Sequence, residues 1–512
     1  MKRLQFALAI CIPLCWFFFK LLPVYTHPAS CSTANFMYAE NLVATNVWSY
    51  DSTPTNSFDD SSNVLYVVCL WILIHFFKFT TVKAALFISA FSILFSVYLL
   101  QRIIDSRFYG INLLLVGLLF MSTQIWAGVL GDEILFQGML WLFAIRSFWK
   151  HRYFWLMIWC TVNIIARPDN AFILLSLIIV SYFDIRELKD RYKNRFIRRR
   201  VGNTIVLLIL PLCFYFIYRY LYFGKALPYN WLHQLQTTDT IKGIFSKEAF
   251  YFLVHYSRFY ILPLCIGVFF YFLKERKSLH IRYYALAIAF IVIPIFYNCT
   301  FSQTENLAYK NYYAIYLGLI LLSLLFIRDF RSISQSVTTA IFVLFFGFKL
   351  SFAYFGKTLQ SYNNNQYYIA NDLAQIHNGK LVAYNDNFIS WMGNWQTTFA
   401  NGKHSKEYKL LNTDSILNLK SDIILVASIQ NIDNYQSKYV AFSVPQNTLM
   451  YQKAINPENS IDKFFYKYTY KYPLNKNLSN TYLVLKSSKK FKTIQKILLQ
   501  YGAKEIINDR KK

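Results

Sequence analysis

The stretch Val201–Phe223 reads VGNTIVLLILPLCFYFIYRYLYF and spans the ~20 residues that a helix needs to cross hydrocarbon. Similar apolar runs occur at Leu113–Trp126, Tyr251–Leu273 and Val337–Tyr354, and 55% of the 512 residues are hydrophobic. Lipid offers no hydrogen bonds, so a chain of this composition satisfies its backbone N–H and C=O groups within membrane-spanning helices. The sequence therefore predicts a polytopic membrane protein.

The basic residues sort the loops onto two sides of the membrane. The formal net charge is +27, and much of the excess lies beside apolar runs, where Lys and Arg mark cytoplasmic loops and meet anionic lipid headgroups. This placement indicates membrane lipids, rather than nucleic acid, as partners. The predicted cytoplasmic clusters are Arg102/Arg107, Arg146/Lys150/Arg152, Arg186–Arg200, Lys274–Arg282 and Arg328/Arg331. The predicted outer loops are 24–63, 128–133, 167–170, 224–250 and 300–310.

These two sets of loops alternate along the chain if Val64–Phe77 does not cross the membrane. That run is short for a crossing and contains His75, so we assign it to an interfacial or re-entrant helix. The predicted fold is an all-α polytopic bundle of about 11 transmembrane helices plus the interfacial helix. It occupies residues 1–356, with a first outer loop at 24–63 and a cytoplasmic amino terminus.

The composition changes after residue 356, and no long apolar run follows. Short β-prone runs predict strands, and one run with helical periodicity predicts a helix. The strands are expected at Lys380–Tyr384, Asp422–Ser428, Tyr439–Val444 and Thr481–Leu485, and the helix at Lys492–Tyr501. Residues 357–512 are therefore expected to form a small α/β domain on the outer, extracytoplasmic face.

Carboxylates are scarce, with 26 Asp and Glu in 512 residues, so their positions in the outer loops are informative. These loops contain Glu40, Asp51, Asp59 and Asp60 and, in a tight turn between apolar runs, Asp132 and Glu133. Such a carboxylate can act as a general base, or it can hold a divalent cation (Mg²⁺ or Mn²⁺) against a phosphate leaving group. The alternative is that the acids are merely solvated, although charges in a tight turn between buried helices are costly.

Several cations lie at the outer ends of the predicted helices. Arg167 is in the turn Ala166–Asn170 (ARPDN), where its guanidinium either pairs with Asp169 or binds a lipid phosphate. Arg219 and Arg258 lie just inside helix ends, where an arginine either snorkels to the interface or has a specific partner.

Aromatic residues accompany two of the outer loops. Gly224 and Pro228 predict a rigid turn, and the aromatic residues beside them suit interface anchoring as well as stacking on sugar rings. The segment Tyr309–Tyr313 (YKNYY) opens a later crossing, and an aromatic belt is the default explanation for its tyrosines.

Five motifs occur in order on the predicted outer side: Tyr38–Val43 (YAENLV), Asp60–Tyr66 (DSSNVLY), Gly131–Phe136 (GDEILF), Ala166–Asn170 (ARPDN) and Tyr222–Asn230 (YFGKALPYN). In this order they resemble the outer loops of the GT-C superfamily of membrane glycosyltransferases. The likeness is closest to bacterial arabinofuranosyltransferases and mannosyltransferases, and it does not extend to residues 357–512.

The resemblance implies an enzyme of the bacterial inner membrane that transfers a sugar from a polyprenyl-phosphate donor to a glycan, lipid or protein acceptor. Among the carboxylates of the outer loops, we expect the base at Asp60 or Asp59, and we expect Asp132 and Glu133 to orient the acceptor or a metal ion. The residues expected to bind the donor phosphate are Arg167, Arg219, Arg258 and Lys310. The residues expected to form the substrate loop are Tyr222, Gly224, Pro228 and Asn230.

The sequence departs from the family at the residue expected to be the catalytic base. Members usually carry an aspartate just ahead of the Tyr-Ala segment, whereas the matching positions here fall near Ser30 and Cys31. Either Asp59 or Asp60 has taken over this role, or the protein binds a lipid-linked sugar without catalysis. A transporter or lipid-glycan flippase is the alternative from another class. Such proteins commonly show inverted repeats and broken helices, which we do not find in this sequence.

Overall fold

The computed structural model describes residues 33–49, 63–104, 131–191, 195–227, 281–295, 308–328, 364–383, 388–393, 395–399, 413–426, 435, 438–445 and 479–506. Among the residues singled out above, Asp51, Asp59, Asp60, Arg258, Pro228 and Asn230 lie outside these ranges. Lys310 lies in a described helix, but the structure describes only its backbone.

The chain divides into two compact units. The helical unit comprises the described residues of 62–73 and 82–354. The mixed unit comprises the described residues of 25–61, 74–81 and 355–512, and it begins with helix α1 (Thr33–Thr45). The first-loop helix α1 thus groups with the residues after 354. The predicted domain boundary at 356/357 stays a prediction.

The helical unit is built from helices whose ends coincide closely with the predicted loops. They are α2 (Val64–Phe77), α3 (Thr81–Ile104), α4 (Glu133–Trp149), α5 (Tyr153–Ala166), α6 (Asn170–Arg191), α7 (Arg195–Phe223), α8 (Ile281–Ala287) and α9 (Ala308–Arg328). A π-helical segment, Ile288–Val292, continues α8. Helix α5 packs on α4, α6 and α7, and α9 packs on the π-helical segment.

Helix α4 begins where local chemistry favours a helix start. Gly131 has φ of 80°, a left-handed conformation that glycine adopts at little cost. Asp132 then occupies the N-cap position in extended geometry, and Glu133 is the first helical residue. Negative charge at this end is stabilised by the helix dipole. Farther along α4, the ring of Phe143 stacks on Trp159 of α5 with centroids 4.2 Å apart.

The outward face of the helical unit is apolar. Along α6, Phe172, Leu175, Ile179 and Phe183 are about half exposed, whereas Leu174 and Leu177 are fully buried. Helix α7 exposes a comparable set: Ile209, Leu210, Phe214, Ile217 and Leu221. Exposed apolar surface of this extent suits contact with hydrocarbon rather than with water.

Helix length and apolar composition together identify which described helices could span a bilayer. Within the described residues, α3 (Thr81–Ile104) is the one helix both long and apolar enough to span a bilayer by these criteria. Shorter apolar stretches are Val64–Phe77, Tyr153–Ala166, Asn170–Asp184, Ile209–Phe223, Ile281–Ile295 and Tyr313–Leu325. The predicted count of about 11 crossings stays a prediction, as does the interfacial position of Val64–Phe77.

The mixed unit contains a six-stranded sheet of order β2-β1-β3-β5-β4-β6. Its strands are β1 (Lys380–Ala383), β2 (Gln396–Phe399), β3 (Ile423–Val426), β4 (Tyr439–Pro445), β5 (Ser479–Leu485) and β6 (Lys504–Glu505). Strand β1 runs parallel to β2 and β3, and the remaining pairs are antiparallel. The four predicted strands are confirmed, and β2 and β6 are additional.

Short helices complete the mixed unit: α10 (Asn364–Leu373), α11 (Phe388–Met392), α12 (Thr413–Asn418) and α13 (Phe491–Gln500). Helix α13 confirms the predicted carboxyl-terminal helix. One buried indole organises the segment that leads into β2. A Cβ on Gly379 would lie 2.2 Å from Cδ2 of Trp395, so only glycine admits this ring.

A close approach of α4 and α9 generates a stability prediction. A Cβ on Gly138 of α4 would lie 2.4 Å from Cε1 of Tyr313 on α9. We expect Gly138→Ala to destabilise the protein by about 1–3 kcal/mol, because the ring is packed and has to shift. The measurement is the midpoint of thermal unfolding in detergent.

The matched control is the same substitution in a Tyr313→Leu background, where the shorter side chain removes the clash. Alanine is the better helix former by about 1 kcal/mol, so there Gly138→Ala should be neutral or stabilising. An equal loss of stability in both backgrounds would show that the two helices do not approach at this point.

Candidate functional site

The candidate site is built around the turn Gly131–Glu133, which two other helices hold in place. The backbone N–H of Gly131 donates to Oγ of Ser89 on α3 at 3.0 Å, and its carbonyl accepts from the Tyr66 hydroxyl of α2 at 2.7 Å. Asp132 and Glu133 are 1% and 0% exposed. The interpretation of these two acids as solvated loop residues is therefore wrong, because the turn is enclosed by α2 and α3.

A line of buried amides connects this turn to the neighbouring helices. Asn63, which directly precedes α2, donates from Nδ2 to Oε1 of Gln137 at 3.1 Å. Gln137 donates from Nε2 to Oδ1 of Asn163 on α5 at 2.7 Å. Asn163 in turn donates to the carbonyls of Leu140 and Trp159, at 3.1 and 2.7 Å. The amide line thus joins α2, α4 and α5.

The same line reaches the turn that contains Arg167. Asn170 is the first residue of α6, and its Nδ2 donates to the backbone carbonyl of Asn163 at 2.8 Å. The indole N–H of Trp141 on α4 donates to Oδ1 of Asn170 at 3.0 Å. The turns 131–133 and 167–170, which the charge pattern predicts on one side of the membrane, therefore meet in one network.

Within its turn, Arg167 forms a paired interaction with an acid. Its Nε and Nη2 donate to the two carboxylate oxygens of Asp169 at 3.1 and 2.6 Å. Of the two roles considered for Arg167, the local ion pair is the one that the structure contains. Its role toward a lipid phosphate stays a prediction.

Arg219 stabilises the loop that follows α7. Its side chain is buried, Nε donates to the carbonyl of Ala226 at 3.0 Å, and Nη1 donates to the Tyr215 hydroxyl at 3.3 Å. The guanidinium also lies 5.2 Å from the centroid of the Phe223 ring. The snorkelling interpretation is wrong for Arg219, because the side chain folds onto its own loop. Its predicted role in binding donor phosphate remains a prediction.

The described part of the predicted substrate loop has the expected turn. Gly224 has φ of 76°, and its N–H donates to the carbonyl of Tyr220 at 2.9 Å. The ring of Tyr222 is partly exposed and stacks on Tyr218 with centroids 5.6 Å apart. An aromatic face is therefore present beside this turn, while its use by a sugar stays a prediction.

Sequence reasoning missed several residues of the site. Asn63, Gln137 and Asn163 carry the network and were not singled out, although a polar side chain inside an apolar run is a usable signal. The aromatic-belt interpretation is wrong for Tyr313, which is 3% exposed and lies inside the helical unit against Gly138.

The described residues offer no cluster of metal-ligating side chains for the predicted divalent cation. Within the described ranges there is no group of three or more His, Cys, Asp or Glu side chains that could hold a metal ion. Asp132 and Glu133 are two adjacent acids, and Mg²⁺ is usually bound by one or two carboxylates together with waters and substrate phosphates. A metal ion therefore stays a sequence prediction, and no chemical step below depends on one.

Glu40 belongs to a second cluster, in the mixed unit. Its carboxylate accepts from the Thr81 hydroxyl and, at 3.1 Å, from the indole N–H of Trp391. The Trp391 ring also packs on Phe36, with centroids 5.1 Å apart. Burial raises the pKa of Glu40 above its ordinary value, although both hydrogen bonds act in the opposite direction. Glu40 is thus not merely solvated; it joins α1 to α11 and to Thr81.

Structural comparison identifies the fold. The apo structure of ArnT from Cupriavidus metallidurans superposes with a TM-score of 0.53 at 10% identity, over 85% of this chain and 93% of ArnT. ArnT bound to undecaprenyl phosphate gives a TM-score of 0.50 at 10% identity, over 95% and 98% of the two chains. ArnT is a GT-C superfamily member. The chain has the GT-C fold.

This is the fold that the resemblance implies. The archaeal oligosaccharyltransferase AglB from Archaeoglobus fulgidus gives a TM-score of 0.47 at 10% identity, over 87% of this chain and 73% of AglB. No model of a known protein family matches the sequence, and no curated protein is significantly similar to it.

The Glu40 cluster generates a prediction about pH. Because its pKa is raised in the folded protein, the folded state holds more protons than the unfolded state as the pH rises above the ordinary value of 4.5. The contribution of Glu40 to stability is therefore present at acidic pH and is lost as the pH rises through the raised pKa. Glutamine does not titrate, so the stability advantage of wild type over Glu40→Gln should shrink as the pH rises.

The measurement is the thermal unfolding midpoint of both proteins in detergent between about pH 4.5 and pH 8, the range in which a raised carboxyl pKa acts. Glu505→Gln, which removes an exposed carboxylate on β6, is the control for general charge effects. A difference between wild type and Glu40→Gln that does not change with pH would contradict the assigned environment.

Proposed function

We propose that the protein is a membrane glycosyltransferase that moves a sugar from a polyprenyl-phosphate donor to an extracytoplasmic acceptor. The observation that carries the proposal is the GT-C fold, shared along 95% of the chain with an ArnT structure that holds undecaprenyl phosphate. The buried acid turn and its amide line support the proposal, because they place acidic and amide side chains together at the start of α4.

The proposed reaction is a single displacement at the anomeric carbon. An acceptor hydroxyl oxygen attacks this carbon, the bond to the phosphate oxygen breaks, and polyprenyl phosphate leaves with the bonding electrons. The acceptor proton passes to a carboxylate. Cationic side chains at the donor phosphate stabilise the charge that develops on it, and we assign this role to Arg167, Arg219, Arg258 and Lys310.

The burial of the acid turn favours a division of roles between the carboxylates. Asp132 and Glu133 are buried, and the adjacent Gly131 is hydrogen-bonded to α2 and α3. A carboxylate enclosed in this way is suited to orienting groups around the acceptor, whereas a base has to reach a substrate hydroxyl directly. We therefore assign the base to Asp60 or Asp59 of the first outer loop, and the orienting role to Asp132 and Glu133.

The proposal includes the location of the reaction. The amino terminus is cytoplasmic, and the acid turn and residues 357–512 face the outside of a bacterial inner membrane. A glycan, a lipid or a protein with an accessible hydroxyl is the acceptor. Tyr222 and Gly224, with Pro228 and Asn230, form the loop that contacts the substrates.

A second candidate function follows from the departure at Ser30 and Cys31. If neither Asp59 nor Asp60 replaces the usual aspartate, the protein binds the lipid-linked sugar without turning it over. This alternative predicts saturable binding of a polyprenyl-phosphate sugar by purified protein together with no transfer to any acceptor.

The activity prediction separates these roles. One of the two substitutions Asp60→Asn and Asp59→Asn removes the base. We expect that substitution to lower the rate of transfer by about 10²–10⁴-fold, the usual contribution of general base catalysis. Asp132→Asn and Glu133→Gln should lower the rate less, because they act by orientation. The measurement is transfer of labelled sugar from a polyprenyl-phosphate donor in membranes that contain each variant.

Glu505→Gln, at an exposed acid of β6, is the matched control and should keep full activity. Full activity of both Asp59→Asn and Asp60→Asn would remove these residues as bases. No turnover by the wild-type protein, with the donor nevertheless bound, would support the binding alternative.

A further inference from the structure

The carboxyl-terminal helix α13 presents one constant face outward. Ile494 and Leu498 are fully buried on its inner face, and α13 packs on β5. At the start of the helix, Nζ of Lys490 pairs with Asp422 at 3.3 Å and donates to the backbone carbonyl of Asn378 at 2.6 Å. These contacts prevent α13 from rotating, so the side chains on its outer face keep their position within the mixed unit.

The outer face of α13 combines cations with an apolar side chain. Lys492 and Lys496 are exposed and one helical turn apart, so they lie on the same face. Leu499 is 50% exposed. Together with Gln495 and Gln500, these side chains line a shallow hollow of about 430 Å³. We call these five residues the α13 face, which carries two positive charges and no acid.

The sequence around the α13 face extends its positive charge. Residues 486–504 contain six lysines and no aspartate or glutamate. Lys490 is the one that pairs with Asp422. The other five are exposed: Lys486, Lys489, Lys492, Lys496 and Lys504. Such a cluster attracts an anionic surface, and each lysine that reaches one strengthens binding by about fivefold.

The composition of the α13 face favours a lipid headgroup over other anions. A half-exposed leucine beside lysines suits a helix at a bilayer surface, where cations meet the phosphates and apolar side chains lie below the headgroups. The α13 face has no aromatic side chain, whereas sites for sugars and for single-stranded nucleic acids commonly use aromatic side chains for stacking. The apolar outer surfaces of α6 and α7 also favour a bilayer as the surroundings of this chain.

We propose that the α13 face binds the headgroups of anionic phospholipids and thereby holds the mixed unit at a membrane surface. Lys492 and Lys496 contact the lipid phosphates, and Leu499 enters the apolar region beneath them. The inference rests on the membrane location that the proposed function includes, and it is independent of sugar transfer.

The test uses the full-length protein in nanodiscs of phosphatidylcholine with or without phosphatidylglycerol. The photoreactive residue benzoylphenylalanine replaces Gln500 on the α13 face, and mass spectrometry detects lipid adducts after irradiation. We expect adducts with phosphatidylglycerol, and few adducts in nanodiscs that lack it. The double substitution Lys492→Gln/Lys496→Gln should lower the ratio of crosslinked to uncrosslinked protein by about 10- to 30-fold, because two lysines are lost.

The matched control removes the same charge from two other exposed lysines of the mixed unit, Lys420 and Lys438. Lys420→Gln/Lys438→Gln should leave the adducts unchanged. The thermal unfolding midpoint of each double variant should equal that of wild type, because all four side chains are exposed. In wild type, added salt should lower adduct formation, since the screening length falls from about 10 Å in 0.1 M salt to about 3 Å in 1 M salt.

An absence of phosphatidylglycerol adducts would overturn the inference. Equal adduct yields with and without phosphatidylglycerol, or an equal loss in both double variants, would do the same. If dextran sulfate then binds wild type but not Lys492→Gln/Lys496→Gln, the α13 face binds a soluble polyanion instead. Each of these results leaves the proposed function intact. Absence of sugar transfer by wild type, by contrast, removes the proposed function and leaves lipid binding by the α13 face unaffected.

Discussion

Hydrogen bonding between buried amides is the constraint on which the helical unit depends. In an apolar bundle an unsatisfied polar group costs several kcal/mol, so each buried amide has to be placed where a partner can meet it. Gln137 meets this condition by contacting residues from two other elements, Asn63 and Asn163. The relative positions of α2, α4 and α5 at this end of the unit are therefore fixed by polar contacts as well as by apolar packing.

The same constraint explains why the charged residues lie where they do. Asp132 and Glu133 stand at the start of α4, where the helix dipole favours negative charge. Arg167 is balanced by Asp169 within one turn, and Asn170 connects that turn to the amide line. Charged and polar side chains thus accumulate around the turns 131–133 and 167–170.

Much of this arrangement could be predicted from the sequence, because it depends on local patterns. Apolar length and basic loops locate helix ends, and they place the turns 131–133 and 167–170 on one side. Alternating β-prone runs likewise predict strands such as β3 and β5. The amide line could not be predicted, because Asn63 and Gln137 are 74 positions apart and only the packed helices decide which amide meets which. The burial of Tyr313 was missed for a similar reason, since it depends on the absence of a side chain at Gly138.

The central claim is that a polyprenyl-phosphate donor binds at the end of the helical unit where the turn 131–133 lies. Photo-crosslinking with a polyprenyl phosphate that carries a diazirine near its phosphate tests this directly, with the labelled peptides identified by mass spectrometry. The account predicts labelling close to the turns 131–133 and 167–170. Labelling confined to the opposite ends of the same helices, around Trp149, Tyr153 and Asp184, would contradict it.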